Sequence, residues 1–114
     1  MCSARHVVVT VCTDGRLCHL IGLLKTLADE AAPDSITVNT VLPGYILTDR
    51  LRQRAAHQGT PVDDVVRETA ARVPLGRVGA PADLGALVAF LCSDAAGYIT
   101  GAAIPVDGGF IRGL

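Results

Sequence analysis

Two short segments, "RHVVVTVC" at 5–12 and "SITVNTVL" at 35–42, carry apolar or β-branched residues at odd and even positions alike. A strand with one wet face alternates. A strand that is apolar on both faces has to be covered on both, which is the condition of a parallel sheet layered by helices. Between the two lies "GRLCHLIGLLKTLADEAAPDS", where Leu17, Leu20, Ile21, Leu24, Leu27, Ala28 and Ala31 recur at the spacing of one helix face. Pro33 marks the stop. Strand, helix of about four turns and strand make a βαβ unit, right-handed by default. The predicted fold class is α/β.

Past the second strand, "TDRLRQRAAHQ" reads as a short helix capped by Thr48. "TPVDDVVRETAARV" reads as another, with Thr60 as cap, Pro61 in the first turn and Asp63 and Asp64 at its positive end. "PLGRVGAP" is a turn-rich break. "PADLGALVAFLCSDA" is an apolar helix opened by Pro81 and Asp83, and "YITGAAIPVDGG" is a turn, a short strand and a Gly-Gly turn. Asp49, Arg50, Arg52 and Arg54 read as a solvated helix face rather than a phosphate cluster. Tyr98 and Ile99 read as packing residues. Gly22 and Gly85 leave room for close helix packing, within a subunit or between subunits.

At 114 residues with 50% hydrophobic residues and 18% charged, the chain has globular composition and the length of one small domain. A net charge of −1 gives no reason to expect nucleic acid or an acidic membrane surface as partner. No apolar run reaches the roughly 18 residues of a membrane span. The N-terminal apolar run is shorter than a secretory core, with no small-residue cleavage site at the right place. The expected location is therefore cytoplasmic. Cys2, Cys12, Cys18 and Cys92 form no C-x-x-C pair, and with His6 or His19 they fit no common zinc spacing. Reduced, mostly buried thiols and no metal site are expected.

The stretches "GLLKTLADEAAPDSITVNTVLPGYILTD", "VPLGRVGAPADLGALVAFLCSDAAGYITG" and "IPVDGG", in this order, resemble the C-terminal half of short-chain dehydrogenases/reductases, and within them the 3-oxoacyl-[acyl-carrier-protein] reductase-like members. The resemblance runs from about 22 to 114 and leaves 1–21 divergent. It implies a single, incomplete Rossmann-like domain over 1–114, with about three parallel strands flanked by helices. It also implies NAD or NADP as cofactor, for chemistry on carbonyl or hydroxyl substrates. In the family the backbone after Pro-Gly meets the nicotinamide carboxamide and the next Thr helps hold the cofactor. Carried over, the cofactor-binding positions are Pro43, Gly44, Ile46 and Thr48. On the residues alone, "PGYILT" reads as an ordinary connection from strand to helix. Gly44 permits a close backbone approach, and the Thr48 hydroxyl can bond an amide or phosphate.

Two family features are missing. No two glycines stand at i and i+2, so neither T-G-x-x-x-G-x-G nor G-x-G-x-x-G occurs. "TVCTDGRL" at 10–17 keeps Thr10 and Gly15 but has Val11 and Leu17 where bare backbone would approach a pyrophosphate. The Tyr-x-x-x-Lys pair falls on Thr13 and Leu17, and Lys25, the only lysine, has Ile21 four residues before it. No catalytic residue is therefore assigned, and tight NAD(P) binding is not expected of this chain. A truncated or frame-disrupted gene and an internal deletion both account for the divergent start. Two functional classes follow: a reductase fragment incompetent by itself, and an interaction module docking on itself, as a homo-oligomer, or on a full-length relative.

Overall fold

The computed structural model describes residues 7–11 and 17–112, with side chains from Leu20 onward. The β-branched run forms β1 (Val7–Val11), followed by α1 (Leu17–Ala31), a 3-10 turn through Pro33, and β2 (Thr37–Pro43). Three helices come next: α2 (Asp49–His57), α3 (Val62–Ala70) and α4 (Pro81–Leu91). The last strand is β3 (Ala103–Val106). The sheet order is β1-β2-β3. β1 and β2 pair in parallel, Val7 with Thr37 through Val11 with Val41. On the other side of β2, the Thr40 N–H donates to the Ala102 carbonyl at 2.8 Å and the Gly44 N–H to the Val106 carbonyl at 2.9 Å. Both partners advance together, so this pairing is parallel too.

The chain divides into two compact units. One comprises residues 1–42 and 86–104, the other 43–85 and 105–114. In the first, every residue of β2 from Thr37 to Leu42 is buried, as the absence of alternation predicts. Three polar residues, Thr37, Asn39 and Thr40, are buried along it, and Asn39 bonds through its side chain. The Asn39 amide donates to the Ile99 carbonyl at 3.0 Å and accepts from the Ala102 N–H at 3.2 Å. The Val38 N–H donates to the Thr100 hydroxyl at 3.0 Å, and the Gly101 N–H to the Val38 carbonyl at 2.7 Å. The "YITG" turn is thus laced to β2 by backbone and side chains together. Ala28, Leu91 and Ala96 are buried in this unit.

The second unit packs α2 against α3. Leu51, Ala55 and Val65 form its buried centre, with Leu47, Val66 and Val78 against it. Leu51 and Ala55 lie four apart on α2, and the arginines and His57 of that helix are exposed, the solvated face expected from the sequence.

Several local expectations are corrected. Thr48 holds the N-cap of α2 with extended backbone, yet its side chain makes no capping bond. Thr60 does not cap α3. Pro61 does, with φ −54° and ψ 138°: its own ψ is extended, so the helical bonds begin on its carbonyl, which accepts the Asp64 and Val65 N–H groups at 3.1 and 3.3 Å. Tyr98 is fully exposed rather than packed. Cys92 is exposed, not buried. Among the described residues, Cβ atoms added at Gly22 or Gly85 would meet nothing within 4 Å, so neither glycine serves packing against them. The expectations for Cys2, His6, Cys12, Thr13 and Gly15 lie outside the described residues, as do the side chains of Thr10, Val11, Leu17, Cys18 and His19.

Candidate functional site

The loop from Pro43 to Thr48 leaves the carboxyl end of β2, where open α/β sheets bind ligands. A second segment holds it open on one side. The Gly79 N–H donates to the Tyr45 carbonyl at 2.8 Å, and the Leu47 N–H donates to the Gly79 carbonyl at 2.8 Å. Ile46 and Gly79 form a parallel bridge. In that geometry the bonds come from the residues flanking Ile46, so its own N–H and C=O point to the opposite side. Neither has a protein partner among the described residues. The Thr48 hydroxyl is exposed and has none either.

The C-terminal turn closes on the start of the loop. A Cβ on Gly44 would stand 2.6 Å from the Asp107 Cβ and 2.7 Å from its Cα. Each oxygen of the Asp107 carboxylate accepts a backbone N–H, from Gly109 at 2.9 Å and from Ile111 at 2.8 Å. Those bonds hold Gly108 and Gly109 at φ 64° and 87°, a left-handed conformation suited to glycine. The Phe110 ring meets Tyr45 edge-on, with centroids 5.1 Å apart. The Leu75 N–H donates to the Gly108 carbonyl at 3.1 Å, and a Cβ on Gly108 would stand 2.5 Å from Val73 Cγ1. "VDGG" is therefore a turn, as read from the sequence, and it also reaches Gly44.

The Gly79 segment has its own anchor. Arg77 grips Asp83 with two nitrogens, at 2.7 and 3.3 Å, and Asp83 also accepts the Ala80 N–H at 2.8 Å. The Arg77 hydrogen bond, with the Ala80 N–H behind it, holds the Asp83 carboxyl below its ordinary value. Asp83 is the third residue of α4, so it favours the positive helix end as well. A Cβ on Gly79 would stand 2.7 Å from Ile46 Cδ1, the movable end of that side chain, and 3.4 Å from the Tyr45 carbonyl oxygen.

The site thus brings together Pro43, Gly44, Ile46 and Thr48 and adds Gly79 and Asp107, which sequence reasoning did not place there. The position matching the family's tyrosine, Thr13, is outside the described residues. The position matching its lysine, Leu17, opens α1. Among the described residues, no group of three or more His, Cys, Asp or Glu could hold a metal ion. No described helix is long and apolar enough to cross a membrane.

A nicotinamide carboxamide carries one donor group and one acceptor. The Ile46 C=O and N–H offer the complementary pair, and the Thr48 hydroxyl adds a group that can donate or accept. The residues present fit that end of the cofactor. Nothing in the loop fits its pyrophosphate in the manner of a glycine-rich cradle.

The model of the family described as Enoyl-(Acyl carrier protein) reductase matches residues 18–111. The 3-oxoacyl-[acyl-carrier-protein] reductase FabG of Aquifex aeolicus is 41% identical over 90 residues, which are 79% of this chain and 34% of that protein. A C-terminal deletion mutant of Thermoplasma acidophilum aldohexose dehydrogenase superposes with a TM-score of 0.84 at 29% identity, over 96% of this chain and 52% of that one. YwfH, an NADPH dependent reductase involved in bacilysin biosynthesis, superposes with a TM-score of 0.75 at 37% identity, over 84% and 38%. The chain belongs to the short-chain dehydrogenase/reductase family, with the Rossmann-like α/β architecture of that family. It spans about a third of the length of the curated relatives it matches.

Proposed function

We propose that these 114 residues carry the nicotinamide-end loop of an NAD(P)-dependent oxidoreductase acting on carbonyl or hydroxyl substrates, and that alone they do not catalyse the reaction. The observation that carries the first part is the donor–acceptor pair of Ile46, without a partner among the described residues and flanked by the Thr48 hydroxyl, which has none among them either. The YwfH and FabG likenesses support the cofactor and reaction class. The second part rests on the missing Tyr-x-x-x-Lys pair and glycine loop. When bound, NAD(P) would exchange a hydride with the substrate carbon. The contribution of this chain is to orient the carboxamide through Ile46 and Thr48, with Gly44 and Pro43 shaping the approach.

Titration of the isolated chain with NADH and NADPH, followed by amide shifts, tests both parts. Ile46 and Thr48 should shift at millimolar cofactor, with a dissociation constant weaker than about 10 μM, equivalent to about −7 kcal/mol. A loop that never shifts removes the cofactor reading. Tighter binding refutes the expected weakness. No acetoacetyl thioester should be reduced, since a positioned acid/base is worth about 10²–10⁴-fold. Turnover abolished by Tyr45→Phe would overturn that and make Tyr45 the acid.

A second reading, a module that docks on itself or on a full-length relative, has its own support. Ala82, Gly85, Ala86, Ala89 and Phe90 recur at helical spacing along α4 and are all exposed. A helix apolar on every side is ordinarily covered. Mixing with a complete family member and measuring co-sedimentation separates the two readings.

A further inference from the structure

The geometry points to Asp107 as the positioning residue of the Pro43–Thr48 loop, acting from the C-terminal turn through Gly44 and Tyr45. This deepens the cofactor reading and rests on it for its functional meaning. Four observations converge. The side chain of Asp107 fills the space a Cβ of Gly44 would need. The Gly44 N–H is tied to Val106, the residue before Asp107. Phe110, three residues on, is edge-on to Tyr45. Both carboxylate oxygens of Asp107 are spent on the Gly109 and Ile111 amides that shape the turn. Bonds of an ionised acceptor to N–H groups are the strong ones, so the turn has one dominant anchor. Tyr45 then passes the constraint on, because its carbonyl accepts the Gly79 N–H and Leu47 answers to the Gly79 carbonyl. Ile46 lies between those two bonds. The outward direction of its N–H and C=O is therefore set by a turn some sixty residues later in the chain.

The distinction between positioning and general support can be measured on the full chain by amide hydrogen exchange in wild type, Asp107→Asn and Asp107→Ala. Asp107→Ala should accelerate exchange at Gly44, Leu47 and Gly79 by about tenfold or more, as local opening does. Thr40 and Gly101, whose amides bond within the other unit, should stay within about threefold of wild type. Asp107→Asn keeps one acceptor oxygen and should fall between. It also serves if the alanine variant does not fold. Unchanged exchange at the three loop amides in both variants would overturn the proposal. So would an equal acceleration at Thr40 and Gly101, since that is loss of the fold. Amide shifts with NADPH give the separate arm: in wild type Ile46 and Thr48 shift, and in Asp107→Ala the shifts shrink. Wild-type shifts that Asp107→Ala leaves intact, with the loop loosened, would overturn the positioning role. A wild-type loop that ignores NADPH, yet loosens in Asp107→Ala, removes the cofactor reading while the anchoring of the loop stands.

Discussion

Asp107 occupies the place where a side chain on Gly44 would begin, 2.6 Å from the Cβ that glycine lacks. Gly44 does not have a positive φ, so its backbone would accept another residue. The requirement for glycine is steric, and it comes from the protein itself. Room for an approaching cofactor had been the reason offered by the Pro-Gly motif. The nearer reason is the C-terminal turn.

Gly44→Ala should therefore destabilise the chain. Forcing one methyl into a packed contact costs about 1–3 kcal/mol, and here part of the obstacle is the Asp107 Cα, which cannot rotate away. Urea unfolding should show a lower midpoint at unchanged slope. A loss under roughly 0.5 kcal/mol, the range of an ordinary surface substitution, would mean that the turn moves aside freely.

Asn39→Ala should cost more than its size suggests. The side chain is 1% exposed and bonds both Ile99 and Ala102. Its removal leaves a carbonyl and an N–H without their partners and opens a small void, together roughly 2–4 kcal/mol. Thermal or urea unfolding reads the loss, and amide exchange at Gly101 should quicken with it. Wild-type stability in the alanine variant would show that water replaces both bonds at no cost.

The Arg77–Asp83 pair gives an acid dependence with a definite sign. Asp83 is held below its ordinary value of 3.8 by the Arg77 hydrogen bond first and the Ala80 N–H second. A carboxyl depressed in the folded state contributes stability that is fully present above that ordinary value. The contribution is lost as pH falls through the folded value. Arg77, raised by the same contact, stays charged throughout. Both side chains are solvent-exposed at the pair, so the effect is modest and salt-sensitive. In melts at pH 7 and at successively lower pH, Asp83→Asn should sit below wild type at neutral pH and converge with it in acid. A gap that persists or widens in acid would show that the pair is not its origin.

Association should run through the exposed apolar face of α4. Phe90 is 44% exposed, and Ala82, Gly85, Ala86 and Ala89 share its side of the helix. A Gly or Ala stripe admits a close helix neighbour, and a contiguous apolar patch of this kind marks an interface or an aggregation site. Sedimentation at micromolar concentration should show dimers or larger species, shifted toward monomer by Phe90→Glu. A compact monomer of the wild-type chain would refute this.

What the amino-acid order determined by itself is the set of elements. The missing alternation of "ITVNTVL" foretold a strand buried on both sides, and β2 is buried from Thr37 to Leu42. The helical spacing of apolar residues and the stop at Pro33 located α1. The Pro-Gly and Gly-Gly signals located the two loops of the second unit. These features are local, because period and backbone sterics act over a few residues. Capping was legible only as position: Thr48 stands at the N-cap without using its hydroxyl. The fate of exposed groups was not legible either. An aromatic such as Tyr98 looks the same in sequence whether it packs or, as here, stands in solvent.

Only the tertiary structure decided which distant residues share a place. Asp107 reads in sequence as a turn residue, and Gly79 as part of a break. Nothing within several residues of either signals Gly44 or Ile46, since the contacts depend on strand order and on where β3 ends beside β2. The same chain-level geometry turned the Ile46 N–H and C=O away from Gly79 and left the pair without a protein partner among the described residues. Hydrophobic period chooses elements from nearest neighbours. Steric exclusion and backbone pairing between segments some sixty residues apart choose the site.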